Sequence, residues 1–93
     1  MDSSISILLY KTKTCAQCKM NLLFINEIRD EYKDINIEVV DVNEIASSYS
    51  ISRIPTILLI KDDVILRRFE GMMTRKQIRE IFVEADALKE KIS

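Results

Sequence analysis

A short apolar run, Ile5 to Tyr10, and a second strand-like segment, Asn36 to Asp41, stand on either side of one amphipathic stretch, and that succession limits the fold of this chain more than any other feature. Ile5 to Tyr10 is made mostly of β-favouring residues and reads as a buried strand. From Ala16 to about Lys33, Met20, Leu23, Phe24 and Ile28 recur at helical spacing, with Leu22 and Ile25 widening the apolar stripe. The second strand centres on Ile37, Val39 and Val40. Strand, helix and strand in so short a span predict a parallel βαβ unit with a right-handed crossover.

At the junction of the first strand and the helix stand the only two cysteines, as Cys15-Ala16-Gln17-Cys18. A sulfur at a helix N-terminus meets unpaired backbone N–H groups and the positive end of the macrodipole, both of which favour thiolate over thiol. Two intervening residues let the second sulfur swing into disulfide reach. The pair is therefore a redox-site candidate, and two plainer readings compete with it. A structural zinc site wants four Cys or His ligands, and a chain with two cysteines and no histidine would need a second copy to complete the tetrahedron, so no metal is expected. Cysteines can also be buried simply as small hydrophobes.

Composition narrows the setting. Ninety-three residues, 47% of them hydrophobic, predict one domain over residues 1–93 with a modest core. A net charge of −1 advertises neither a nucleic-acid nor a membrane partner, and the short basic runs Lys11/Lys13 and Arg67-Arg68 read as solvated faces. Met1-Asp2-Ser3-Ser4 lacks a basic leader, and Ile5 to Tyr10 is too short for a signal core or a membrane span, so a cytoplasmic location is expected. In that reducing compartment a closely spaced cysteine pair is more often catalytic or metal-binding than a staple.

The rest of the chain completes a βαβαββα order. Asn43 can cap a short helix to about Tyr49, and Thr56 to Ile60 and Val64 to Phe69 flank a Lys61-Asp62-Asp63 hairpin turn that lacks the usual glycine. Thr74 and Gln77 form a capping-box pattern ahead of a final helix lined by Ile78, Ile81, Phe82, Ala85 and Leu88, with Lys89 to Ser93 expected to fray. Tyr10, Phe24, Tyr49, Phe69 and Phe82 read as core aromatics, and Tyr32 as a helix-edge residue. Pro55, the only proline, immediately precedes the third strand, a place where proline is tolerated on position alone.

A Cys-x-x-Cys after a first strand, with Ile54-Pro55-Thr56 opening a later hairpin, resembles the thioredoxin and glutaredoxin superfamily. The run Val40-Asp41-Val42-Asn43-Glu44, followed by Ser48 to Ile60 through Arg53-Ile54-Pro55-Thr56, is similar to the thioredoxin segment leading from strand through short helix to cis-proline. Gly71 stands where thioredoxins keep a glycine facing the substrate groove. The first half resembles glutaredoxins: little chain precedes Ile5, leaving no room for the additional N-terminal strand and helix of full thioredoxins. Cys15-Ala16-Gln17-Cys18-Lys19-Met20 is similar to small glutaredoxin-like redoxins that reduce ribonucleotide reductase. The resemblance implies an α/β minimal thioredoxin fold, a four-stranded mixed sheet of order 2-1-3-4 flanked by helices, with a cis Pro55 lying against the disulfide.

It also implies thiol–disulfide exchange with Cys15 as nucleophile and Cys18 as buried resolving thiol, and no cofactor beyond their disulfide. Ile54, Pro55, Thr56, Gly71 and Met72 would bind substrate, pairing with it in extended form. Met72 and Met73 either offer an apolar contact beside that groove or fill core. Lys11 or Lys13 would support the Cys15 thiolate if close, although lysines near a sheet end more often face solvent. Three departures bear on mechanism. Thr14 and Ala16-Gln17 replace the tryptophan and Gly-Pro of thioredoxins, which leaves the potential open. Leu9 occupies the place, six residues before Cys15, of the buried aspartate that helps deprotonate the second cysteine, so another group or water must do so. Gly71-Met72-Met73-Thr74 lacks the Gly-Gly and acidic residue with which glutaredoxins hold glutathione. The expected partners are protein disulfides and a flavoprotein disulfide reductase, for a protein acting as a monomer. A glutathione-dependent glutaredoxin is the alternative, and a non-catalytic redox sensor or binding module on the same fold is a further one.

Overall fold

The computed structural model describes residues 5–42 and 53–90. In chain order these form β1 (Ile5–Lys11), α1 (Ala16–Ile28) with a 3₁₀ turn (Arg29–Glu31), β2 (Asn36–Asp41), β3 (Thr56–Lys61), β4 (Val64–Glu70) and α2 (Arg75–Glu90). The short helix expected from Asn43 to about Tyr49 lies outside the described residues.

The apolar runs pair as their lengths and connections require. β1 and β2 are parallel, from Ser6 opposite Asn36 to Lys11 opposite Asp41, with α1 as the crossover. β1 is antiparallel to β3, from Ile5 opposite Lys61 to Tyr10 opposite Thr56, and β3 is antiparallel to β4. The sheet order is thus β2-β1-β3-β4, the expected mixed arrangement. The β3–β4 hairpin turns on Asp62 and Asp63 at φ 51° and 68°, the left-handed pair that a two-residue type I′ turn demands. Aspartate tolerates that region, which explains why the turn forms without glycine.

The inner strands are apolar on both faces. On one, Ile5, Ile7, Leu9, Ile57 and Leu59 pack with Ile25 and Ile28 of α1, Ile35, and Ile78, Ile81, Phe82 and Ala85 of α2. The other face carries Leu8, Tyr10, Leu58 and Ile60, with Val40, Val42 and Ile54 against them. Each such side chain taken from water contributes about 1.5–3 kcal/mol, so this two-sided burial is the main force holding the sheet.

Several sequence expectations are corrected. The buried stripe of α1 runs through Cys18, Asn21, Ile25 and Ile28, whereas Met20 and Leu23 are 41% and 49% exposed. Regular α-helix stops at Ile28 instead of continuing to Lys33. Tyr32 caps the 3₁₀ turn at the helix edge, half-buried, and its ring also stacks on Phe82 with centroids 5.4 Å apart. The expected fraying does not begin at Lys89, which is helical with its Nζ 2.8 Å from Asp34 Oδ2, while residues 91–93 lie outside the described residues. The capping box at its start is formed reciprocally, Thr74 N–H to Gln77 Oε1 at 2.8 Å and Gln77 N–H to Thr74 Oγ1 at 3.1 Å.

Ion pairs tie α2 to α1 and to the segment that follows it: Arg75 to Glu27 at 2.8 Å, Arg79 to Glu31 of the 3₁₀ turn in a two-pronged contact at 3.0 Å, and Lys89 to Asp34 ahead of β2. The hydrogen bond from Lys89, then its charge, hold the Asp34 carboxyl below the ordinary aspartate value, and Arg79 does the same for Glu31. A depressed folded-state pKa stabilises above the unfolded value, and the effect is lost as pH falls through the folded one. Carboxyl NMR titration should find both groups low. Lys89→Ala should return only Asp34 to the ordinary value, and its stability deficit against the parent should close in acid. A deficit unchanged from neutral pH to below both midpoints would contradict this linkage.

Candidate active site

Strand register assembles the site. Because Tyr10 is opposite Thr56, the chain leaves β1 where it enters β3, and because Thr56 is opposite Glu70, it leaves β4 at that same end. The loop to Cys15, the Ile54-Pro55 step and Gly71 thus converge on one end of the sheet.

Cys15 is the N-cap of α1, with extended backbone at φ −87° and ψ 107°. Its Sγ accepts the Cys18 N–H at 3.1 Å, so one of the helix's unpaired donors points at the sulfur. Cys15 and Cys18 are joined as a disulfide with Cα atoms 5.2 Å apart, inside the usual range. Their environments differ: Cys15 is half-buried and Cys18 has no exposed surface. Any partner sulfur must therefore approach through Cys15.

Pro55 and Thr56 are buried and Ile54 half-buried, and the Ile54–Pro55 peptide is cis. The Thr56 hydroxyl donates to the Arg53 carbonyl, closing the turn into β3. The Gly71 N–H donates to the Pro55 carbonyl at 2.8 Å, tying the β4 exit to the proline. Gly71 needs its φ of +89°, a region costly for side-chain-bearing residues, while a Cβ there would meet nothing within 4 Å. The constraint at Gly71 is therefore conformational. The two methionines differ: Met72 is 47% exposed beside Gly71, and Met73 packs against the main core, which is one of the two roles open to it.

Lys11 is half-buried at the end of β1, in register with Asp41, and Lys13 is exposed in the loop before Cys15. Leu9 has no exposed surface and lies in the core. Among the described residues no group of three or more Cys, Asp or Glu is placed to hold a metal ion. One residue escaped the sequence reading altogether. Asn21 is fully buried one turn past Cys18 and bonds to the backbone of Met73. Its only signal was a polar side chain in the middle of an apolar helical stripe.

Comparison with known proteins adds to this geometry. The Thioredoxin family model matches residues 2–84. Thioredoxin Y1, chloroplastic, of Arabidopsis thaliana is 35% identical across 74% of this chain and 42% of that protein. NADPH-dependent thioredoxin reductase 3 of the same plant is 30% identical across 86% of this chain and 16% of that protein. The chain thus spans less than half the length of either relative. In fold it is similar to the solved thioredoxin of Fasciola hepatica, with a TM-score of 0.79 at 23% identity over 90% of this chain and 83% of that one.

Gly71→Ala should destabilise the fold by about 1–2 kcal/mol, the cost of a left-handed residue bearing Cβ. Urea unfolding measures this directly. Because the space is open, Gly71→Asn should lose less; an equal loss in both would point to crowding rather than dihedral strain.

Proposed function

The chain belongs to the thioredoxin family, and on that premise we propose that it is a dithiol oxidoreductase that reduces protein disulfides. The observation that carries the reading is the asymmetric Cys15–Cys18 disulfide at the start of α1, with the accessible sulfur on the helix cap and the other enclosed. In the reduced protein the Cys15 thiolate attacks one substrate sulfur. A Cys15–substrate bond forms as the substrate disulfide breaks, and one substrate thiolate leaves. Cys18 then gives up its proton and attacks Cys15 Sγ, which forms the Cys15–Cys18 disulfide and releases the second substrate thiolate. Two electrons have passed to the substrate. With Leu9 in place of a carboxylate, the Cys18 proton leaves through another group or water. The family needs no cofactor, since the disulfide is the active group.

The half-buried Ile54 backbone offers an edge to which an extended substrate segment can add, flanked by exposed Met72. Lys11 and Lys13 add positive charge near Cys15 in sequence. For the electron donor we favour NADPH acting through a flavoprotein disulfide reductase. The likeness to a protein named NADPH-dependent thioredoxin reductase supports this, as does Gly71-Met72-Met73-Thr74 in place of a glutathione-binding Gly-Gly-acidic pattern. We take the setting to be a reducing cytoplasm, which a lone, closely spaced cysteine pair fits, and the working form a single-domain monomer. The likeness of Cys15 to Met20 to redoxins serving ribonucleotide reductase makes that enzyme a substrate to assay.

With dithiothreitol as reductant, the protein should accelerate insulin reduction, and Cys15→Ser should abolish the effect. Cys18→Ser should trap a mixed disulfide through Cys15. No acceleration would favour a sensor or binding module. In stopped-flow, NADPH with the reductase from the same organism should reduce the oxidised protein faster than millimolar glutathione; the reverse order would make it a glutaredoxin in function.

A further inference from the structure

A buried side-chain amide in an apolar helix face costs free energy unless all its groups are paired, and Asn21 is such a residue, fully enclosed between Cys18 and Ile25 on α1. Both of its partners belong to one distant residue. Asn21 Nδ2–H donates to the Met73 carbonyl at 2.8 Å, and the Met73 N–H donates to Asn21 Oδ1 at 3.3 Å. Met73 follows Met72 and Gly71 in the segment between β4 and α2, and Gly71 is itself bonded to the Pro55 carbonyl. The segment is therefore fastened at two points, with exposed Met72 between them.

We propose that Asn21 is a positioning residue that fixes the Met72-bearing wall of the substrate groove to the redox helix. Apolar packing alone would hold α1 against this loop but tolerates sliding, whereas two directional bonds to one peptide unit set its register relative to Cys18. A leucine, with the same branching and number of side-chain heavy atoms though larger, would suit the apolar stripe better, and it would leave both polar groups of Met73 without these partners. The inference rests on the disulfide-reductase reading, since it assigns a wall to the groove where protein substrates dock.

The test is Asn21→Leu, assayed on insulin and on cystamine, a small disulfide that reaches Cys15 without spanning the groove, with excess dithiothreitol as reductant. Each preparation serves both assays, so any loss of folded protein cancels in the ratio. Activity on insulin should fall about tenfold, mainly through KM, while activity on cystamine stays within about twofold. Equal changes on both substrates, or none, would overturn the proposal. Should the variant not fold, amide exchange in the parent decides: the Met73 N–H should be protected like the interior amides of α1, and exchange at the rate of an exposed loop would overturn it. A parent inactive on both substrates would refute the reductase reading itself, and the groove assignment with it, whatever the exchange result.

Discussion

The antiparallel pairing of β1 with β3, with Tyr10 opposite Thr56, is the constraint on which the rest of this structure depends. It makes one strand's exit and another's entry neighbours, so that a helix-capping cysteine and a proline 40 positions further along come to the same end of the sheet. The pairing is held by burial on both sides. Ile7, Leu9, Ile57 and Leu59 serve the helical face, and Leu8, Tyr10, Leu58 and Ile60 the other. A one-residue slip would exchange the two sets and displace Pro55 from the cysteines at the same time. Packing and chemistry are thus secured by the same register.

Upon this frame the site uses few polar groups. The cap position of Cys15 supplies an N–H donor to its sulfur, while the enclosure of Cys18 directs partners to Cys15. The Pro55 carbonyl and the Asn21 amide fasten the loop carrying Gly71 and Met72. Leu9, six residues before Cys15, shows the other side of this economy: it has no exposed surface and adds an aliphatic side chain to the core.

Much of this was legible in the sequence because it rests on local rules. Period, length and connection gave the parallel βαβ unit, the Thr74/Gln77 box marked the start of α2, and Cys-x-x-Cys at a strand-to-helix junction marked the redox pair. What was hidden depends on the tertiary environment. Met20 and Leu23 resemble stripe residues because apolarity alone suggests burial, but the face of α1 that is enclosed runs through Cys18, Asn21, Ile25 and Ile28. Tyr32 stacks on Phe82, distant in sequence. Lys89 is tied down by Asp34, which no helical spacing could suggest. Asn21 was invisible for the same reason, its partners being backbone atoms of a residue 52 positions away.

The central claim is that one helix start makes two chemically similar thiols unequal. The most direct measurement is competitive alkylation of the reduced protein with limiting iodoacetamide at neutral pH, with the label mapped by mass spectrometry. The account predicts that Cys15 takes up label well before Cys18. Equal labelling, or Cys18 labelled first, would contradict it.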